Sequence, residues 1–197
     1  MEASQACPIY TAFVIAGGKK YDITPAVVEI NISDQKGQIA KSVDIQLVNV
    51  LVDNVWLTSI IKVRDRVFLY ADDGTTKDEV FRGYVWTRSY RSDLNDWCLR
   101  LRCYDNLIYL QESDDSDYFS DGKSTKDVMQ SICDKWGIKL DYTYESITNS
   151  KLVLRGCLSD IITDDVLDLV KDRTGTKYVI LSEKDTMIIR PVASNKT

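Results

Sequence analysis

Thirty acidic side chains and no histidine bound the chemistry open to this 197-residue sequence. Without imidazole there is no Ser-His-Asp relay, no His-ligated metal and no ordinary general base at neutral pH. Carboxylates remain. Glycoside hydrolysis needs two of them facing each other across a cleft, but here the acids gather in one run, Glu112 to Asp121, and on helix faces, where solvation accounts for them. Asp115, Asp117 and Asp121 are hard oxygen donors of the kind that hold calcium. The calcium-loop pattern fails, however: no glycine stands at its sixth position, and the twelfth residue from Asp115 is Lys126. A solvated linker is the simpler reading, and no metal or cofactor is expected.

The remaining nucleophile candidates point the same way. The five cysteines, Cys7, Cys98, Cys103, Cys133 and Cys157, are odd in number and contain no C-x-x-C, which fits free buried thiols in a reducing compartment. Gly17-Gly18-Lys19-Lys20 resembles a phosphate loop only superficially; no helix follows it, so it reads as a hairpin turn. Nucleotide-binding, serine-hydrolase and zinc-protease motifs are absent. The expectation is a protein that is not an enzyme.

Binding residues are easier to place. From Trp97 to Tyr104 the sequence alternates: Trp97, Leu99, Leu101 and Cys103 take one face, and Arg100 and Arg102 take the other. Those arginines either face solvent or meet an acidic surface on a neighbouring subunit. A formal net charge of −5 argues against nucleic acid, which demands a basic stripe. No apolar run is long enough for a membrane helix, and the N-terminus lacks a basic signal-peptide region, so assembly in the cytoplasm is expected. Eleven tyrosines and four tryptophans serve core packing or subunit contacts.

The elements that must position these residues fall into two groups. Period-2 alternation predicts strands at Val27 to Ser33, Ser42 to Val48, Arg66 to Ala71, Glu79 to Tyr90 and Trp97 to Tyr104, with a bulge at Gly83. Asp34 to Gly37, Asp72 to Thr75 and Ser92 to Asp96 supply turns, and Asn54 to Ile61 fits either a short helix or an extended crossover. After the acidic run the period changes to that of a helix. Ser124 and Asp127 form a capping box, Val128, Ile132 and Trp136 make a stripe, and Gly137 ends it. Strands follow at Ile138 to Tyr144 and Lys151 to Leu154. A second helix starts at Ser159-Asp160, buries Ile162, Val166, Leu169 and Val170, and stops at Gly175; Lys177 to Glu183 and Thr186 to Pro191 then form a hairpin. The two helix–glycine–strand units match weakly at an offset of about 38 positions, through shared grammar. The expected fold is therefore α+β: an N-terminal antiparallel β-barrel or sandwich over 1–111, an acidic linker over 112–122, and a small α+β domain with two helices and short strands over 123–197.

The stretch from Gly122 to Leu140, with its Trp136-Gly137-Ile138, and the stretch from Ile161 to Ile180, with Thr174-Gly175-Thr176-Lys177-Tyr178, resemble the baseplate hub (tail hub) family of contractile-tailed phages, phage-like prophage elements and R-type tailocins. Upstream, Val43 to Leu47, Asp65 to Leu69, Val80 to Val85 (which carries that family's F-x-G-x-V) and Leu101 to Asp105 are similar to its first barrel. The likeness runs from about Val27 to Pro191. It implies a non-enzymatic hub connecting tail tube to spike and baseplate, made in the bacterial cytoplasm and then built into the tail particle. Implied partners are further copies of the chain in a homotrimeric or homohexameric ring, the tail tube protein, the spike and other baseplate proteins, with no nucleic acid and no membrane. A tube-end or tube-initiator adaptor and a tail-associated cell-wall hydrolase are the alternatives. Hubs of that family carry a further C-terminal β domain and two barrels per subunit. This sequence stops at Thr197 with one clear barrel, which leaves trimer and hexamer both open. Arg100 and Arg102, then Arg88 and Arg91, are the expected subunit-interface residues.

Overall fold

The computed structural model describes residues 8–34, 38–93, 96–142 and 147–192. They form two compact units. One holds the described residues up to Asp34 with Lys41–Asp105; the other holds those of 35–40 with Asn106 onward.

The first unit is built on one seven-stranded antiparallel sheet. Its strands are β1 (Ile9–Ala16), β2 (Lys19–Asp22), β3 (Val27–Ser33), β4 (Ser42–Val48), β7 (Arg66–Asp72), β8 (Lys77–Asp93) and β9 (Asp96–Tyr104), in the spatial order β2-β1-β7-β8-β9-β4-β3. Between β4 and β7 lie a two-residue ribbon, β5 (Leu51–Val52) with β6 (Val55–Trp56), and the single-turn helix α1 (Leu57–Ile60). Asn54 to Ile61, open in the sequence, is therefore a strand end followed by a helix. The alternating apolar residues all turn to one face. Ala12 and Val14, Val43, Ile45 and Leu47, Val67 and Leu69, Phe81 and Val85, and Leu99, Leu101 and Cys103 form a single cluster, capped by Leu57 and Ile61.

The sheet must curl. Its edges, β2 and β3, lie six strand spacings apart, about 29 Å on a flat sheet, yet only residues 23–26 join them, a reach of about 18 Å. It nevertheless does not close into a barrel, one of the two forms, barrel or sandwich, that the alternation left open. The linking segment is tied to β1 instead: Ile23 donates its N–H to the Ala12 carbonyl at 3.0 Å, and the Thr24 hydroxyl accepts from the Ala12 N–H at 2.9 Å. Pro25, having no N–H, cannot extend a ladder there.

Gly83, expected at a bulge, pairs in register with Val67. The extra residues of β8 are Val80, against Leu69 and Tyr70 of β7, and Trp86, between the pairs Val85–Cys103 and Thr87–Arg102 on β9. Gly83 is there for another reason. A Cβ at this position would run into the Tyr104 carbonyl and lie 2.6 Å from the Phe81 ring.

The second unit begins with the short helix α2 (Ile108–Gln111), so the division falls at Asp105, ahead of the acidic run. The acidic run is no free linker. Its centre is strand β10 (Asp114–Phe119), antiparallel to β12 (Leu152–Cys157). Helix α3 (Thr125–Lys135) carries the expected capping box, with Ser124 and Asp127 bonded reciprocally, and buries Val128, Met129, Ile132 and Cys133. Strand β11 (Lys139–Tyr142) runs parallel to β14 (Thr186–Pro191), whose other edge pairs antiparallel with β13 (Tyr178–Glu183). The hairpin turn is Lys184-Asp185, both at positive φ. The second helix starts as α4 (Leu158–Asp160), widens through a π-helical stretch (Ile161–Leu167) and ends as α5 (Asp168–Thr174) at left-handed Gly175. The wider turn changes the expected stripe: Ile161 and Leu167 are buried alongside Ile162, Val166 and Val170, while Leu169 is half-exposed.

One ion pair clamps α3 to β10. The Lys135 ammonium donates to Asp115 at 2.6 Å, with Asp117 at 3.5 Å. Lys135 holds the Asp115 carboxyl below the usual carboxylate range, an effect larger than the opposing one of desolvation.

Replacing Gly83 by alanine should cost about 3 kcal/mol, the upper end of the usual overpacking range, because the clash is with backbone; a thermal melt showing little change would contradict the close approach. A depressed carboxyl stabilises the fold above its unfolded pKa and ceases to do so as pH falls through its folded one. Acid unfolding below about pH 4 should therefore be shallower in Lys135→Met than in wild type, measured by circular dichroism.

Candidate polar interface

The outer face of the sheet carries two rows of side chains set by strand register. In the first, Asn31 of β3 stands opposite Asp44 of β4, which stands opposite Arg102 of β9, which pairs with Thr87 of β8. In the second, two residues along each strand, the order is Glu29, Gln46, Arg100 and Ser89. All eight are polar, and they line a groove of about 370 Å³. Beyond the first row stands an edge-to-face aromatic pair, Trp86 and Tyr104, with ring centroids 6.2 Å apart.

Charge is settled differently in the two rows. Arg102 forms a bidentate pair with Asp44, at 2.9 and 3.0 Å. With both side chains about half exposed, such a pair is worth about 0–1 kcal/mol. In the second row, Arg100 meets, among the described residues, only the Gln46 amide oxygen, at 3.4 Å, which is long for an N–H···O bond. Glu29 accepts from Asn31 at 3.0 Å and lies two strands from Arg100.

The structure thus brings Arg100 and Arg102 together, as the alternation predicts. It does not bring Arg88 to them. The extra residue at Trp86 reverses the parity of β8, so Arg88 pairs with inward-facing Leu101 and shares its face. There it donates to the carbonyls of Ile61 and, at 3.1 Å, Thr58, which the end of α1 leaves without helical partners. Thr87 and Ser89 take the outward places instead. Nothing in their own residue types marks them; the signal would have been the position of the bulge. Of Arg91 the backbone pairs with Cys98, but its side chain lies outside the described residues, as does that of Trp97.

The other chemical candidates disperse. Asp115 and Asp117 flank Lys135, whereas Asp121 accepts from the Lys151 N–H. No group of three or more acids or thiols poised for a metal occurs among the described residues. Gly17 and Gly18 turn between β1 and β2 at positive φ, and Lys19 reaches across to Asp53 and lies over the Tyr21 ring at 5.0 Å. Cys98, Cys103, Cys133 and Cys157 are free thiols, and burial pushes Cys133 up to about 12 and raises Cys103 as well. Cys7 lies outside the described residues. Among those residues no helix is long and apolar enough to cross a membrane.

The family profile described as YQBQ-like matches residues 30–197. No curated protein matches the chain. Among solved structures, the 43 kDa tail protein of prophage MuSo2 from Shewanella oneidensis is similar over 92% of this chain and 53% of its own, with a TM-score of 0.68 at 15% identity. A tail protein from Neisseria meningitidis MC58 is similar over 91% and 50%, with a TM-score of 0.67 at 14% identity. A type VI secretion component from E. coli, itself structurally similar to the T4 phage tail proteins gp27 and gp5, covers 93% and 45%, with a TM-score of 0.51 at 9% identity. The chain thus spans about half the length of the solved tail proteins it matches.

The contrast between the arginines is measurable. Arg88→Ala removes the donor to the Ile61 carbonyl and one of two donors to that of Thr58 and should cost about 1.5–3 kcal/mol, while Arg102→Ala should cost no more than about 1 kcal/mol. Equal losses in urea unfolding would refute the assignment.

Proposed function

The chain belongs to the YQBQ-like family, and we propose that it is a non-enzymatic structural component of a contractile phage-type tail, the hub that connects tail tube to spike and baseplate. The observation that carries this reading is the likeness of both units, in order and over 92% of the chain, to a prophage tail protein. Three of the acids have structural contacts: Asp44 with Arg102, Asp115 with Lys135, and Asp127 in its helix cap.

In this reading the chain works by binding. The sheet unit contributes an outer polar face and two strand edges, β2 and β3, to contacts with further copies or with tube and spike. The chain is made in the bacterial cytoplasm and then resides in the tail particle.

Purified tail particles should contain the chain in a fixed ratio to tube protein by quantitative mass spectrometry, and deleting its gene should leave tubes without attached spikes. A strictly monomeric protein, absent from assembled tails, would sink the proposal.

A further inference from the structure

We propose that Arg100 is the docking point for a carboxylate on a partner polypeptide, received in the outer groove of the sheet unit. The inference rests on the tail reading above and names the chemistry of the partner at one face.

The groove holds four charged side chains, and three have close partners within it. Asp44 and Arg102 neutralise each other through two short bonds, and Glu29 accepts from Asn31. Arg100 is exposed, and among the described residues its single contact is the long one to a neutral amide. An arginine fork offers five donors in one plane and matches a carboxylate bidentately. The Asp44–Arg102 pair shows that this face has room for that geometry between neighbouring strands. Beside Arg100, the Ser89 hydroxyl lies directly across the strand and adds a further donor.

Register gives the site a direction. Glu29 and Arg100 stand at the two ends of Glu29–Gln46–Arg100, separated by two strand spacings, or about 10 Å. The partner surface that fits presents an acidic side chain over Arg100 and a basic one over Glu29. A uniformly acidic polymer such as nucleic acid does not fit, because it would meet Glu29 and Asp44.

The test uses the full chain in assembled tails. Arg100→Glu should fold with an unchanged melting temperature and fall at least tenfold in copies per particle, whereas Lys139→Glu, a charge reversal in the other unit, should incorporate normally. A photo-cross-linking residue at position 89 should join the chain to a peptide containing Asp or Glu. Full incorporation of the folded Arg100→Glu chain, or cross-links confined to peptides without an acid, would overturn the docking inference and leave the tail reading standing. Absence of the wild-type chain from particles overturns that reading, and the inference falls with it.

Discussion

Between Val85 and Thr87, strand β8 carries one residue more than its partner β9. Side chains alternate along a strand, so that single slip exchanges the two faces for everything beyond it. Arg88 and Tyr90 turn inward to the α1 carbonyls, and Thr87 and Ser89 turn outward beside the arginines. The polar rows on the outside and the covering of α1 on the inside depend on the same extra residue. Gly83 makes the neighbouring stretch possible, since only a residue without Cβ lets β8 pass this close to the Tyr104 carbonyl.

Much of this fold is legible in residue order. β3 and β4 have the bounds that alternation predicts, and the Ser124–Asp127 box and the hairpin at Lys184-Asp185 follow from local chemistry alone. What was not legible involves distance along the chain. A glycine inside a strand fits a bulge or a close approach equally well, and only the position of Tyr104 decides between them. The acidic run reads as solvated because its partners, β12 and Lys135, lie 18 or more residues away. Arg88 looks like a surface charge until the parity of its strand is known.

The candidate site shows the same division. The alternation placed Arg100 and Arg102 on one outer face, but could not show that Asp44 stands opposite one and Gln46 opposite the other. That difference comes from the register between strands more than fifty residues apart. It turns two similar arginines into one paired with a carboxylate and one that reaches only a neutral amide among the described residues.

The tie from residues 23–26 back to β1 has a mechanical consequence. In a closed cylinder of strands, any change in girth must break a ladder of hydrogen bonds. Here the seam between β2 and β3 is crossed by residues 23–26, whose Ile23 and Ala26 side chains are buried in the core. No ladder of hydrogen bonds joins β2 to β3 among the described residues, so the ladders do not fix the width of that seam. What limits it is the reach of that four-residue segment, about 18 Å, and its anchorage on β1.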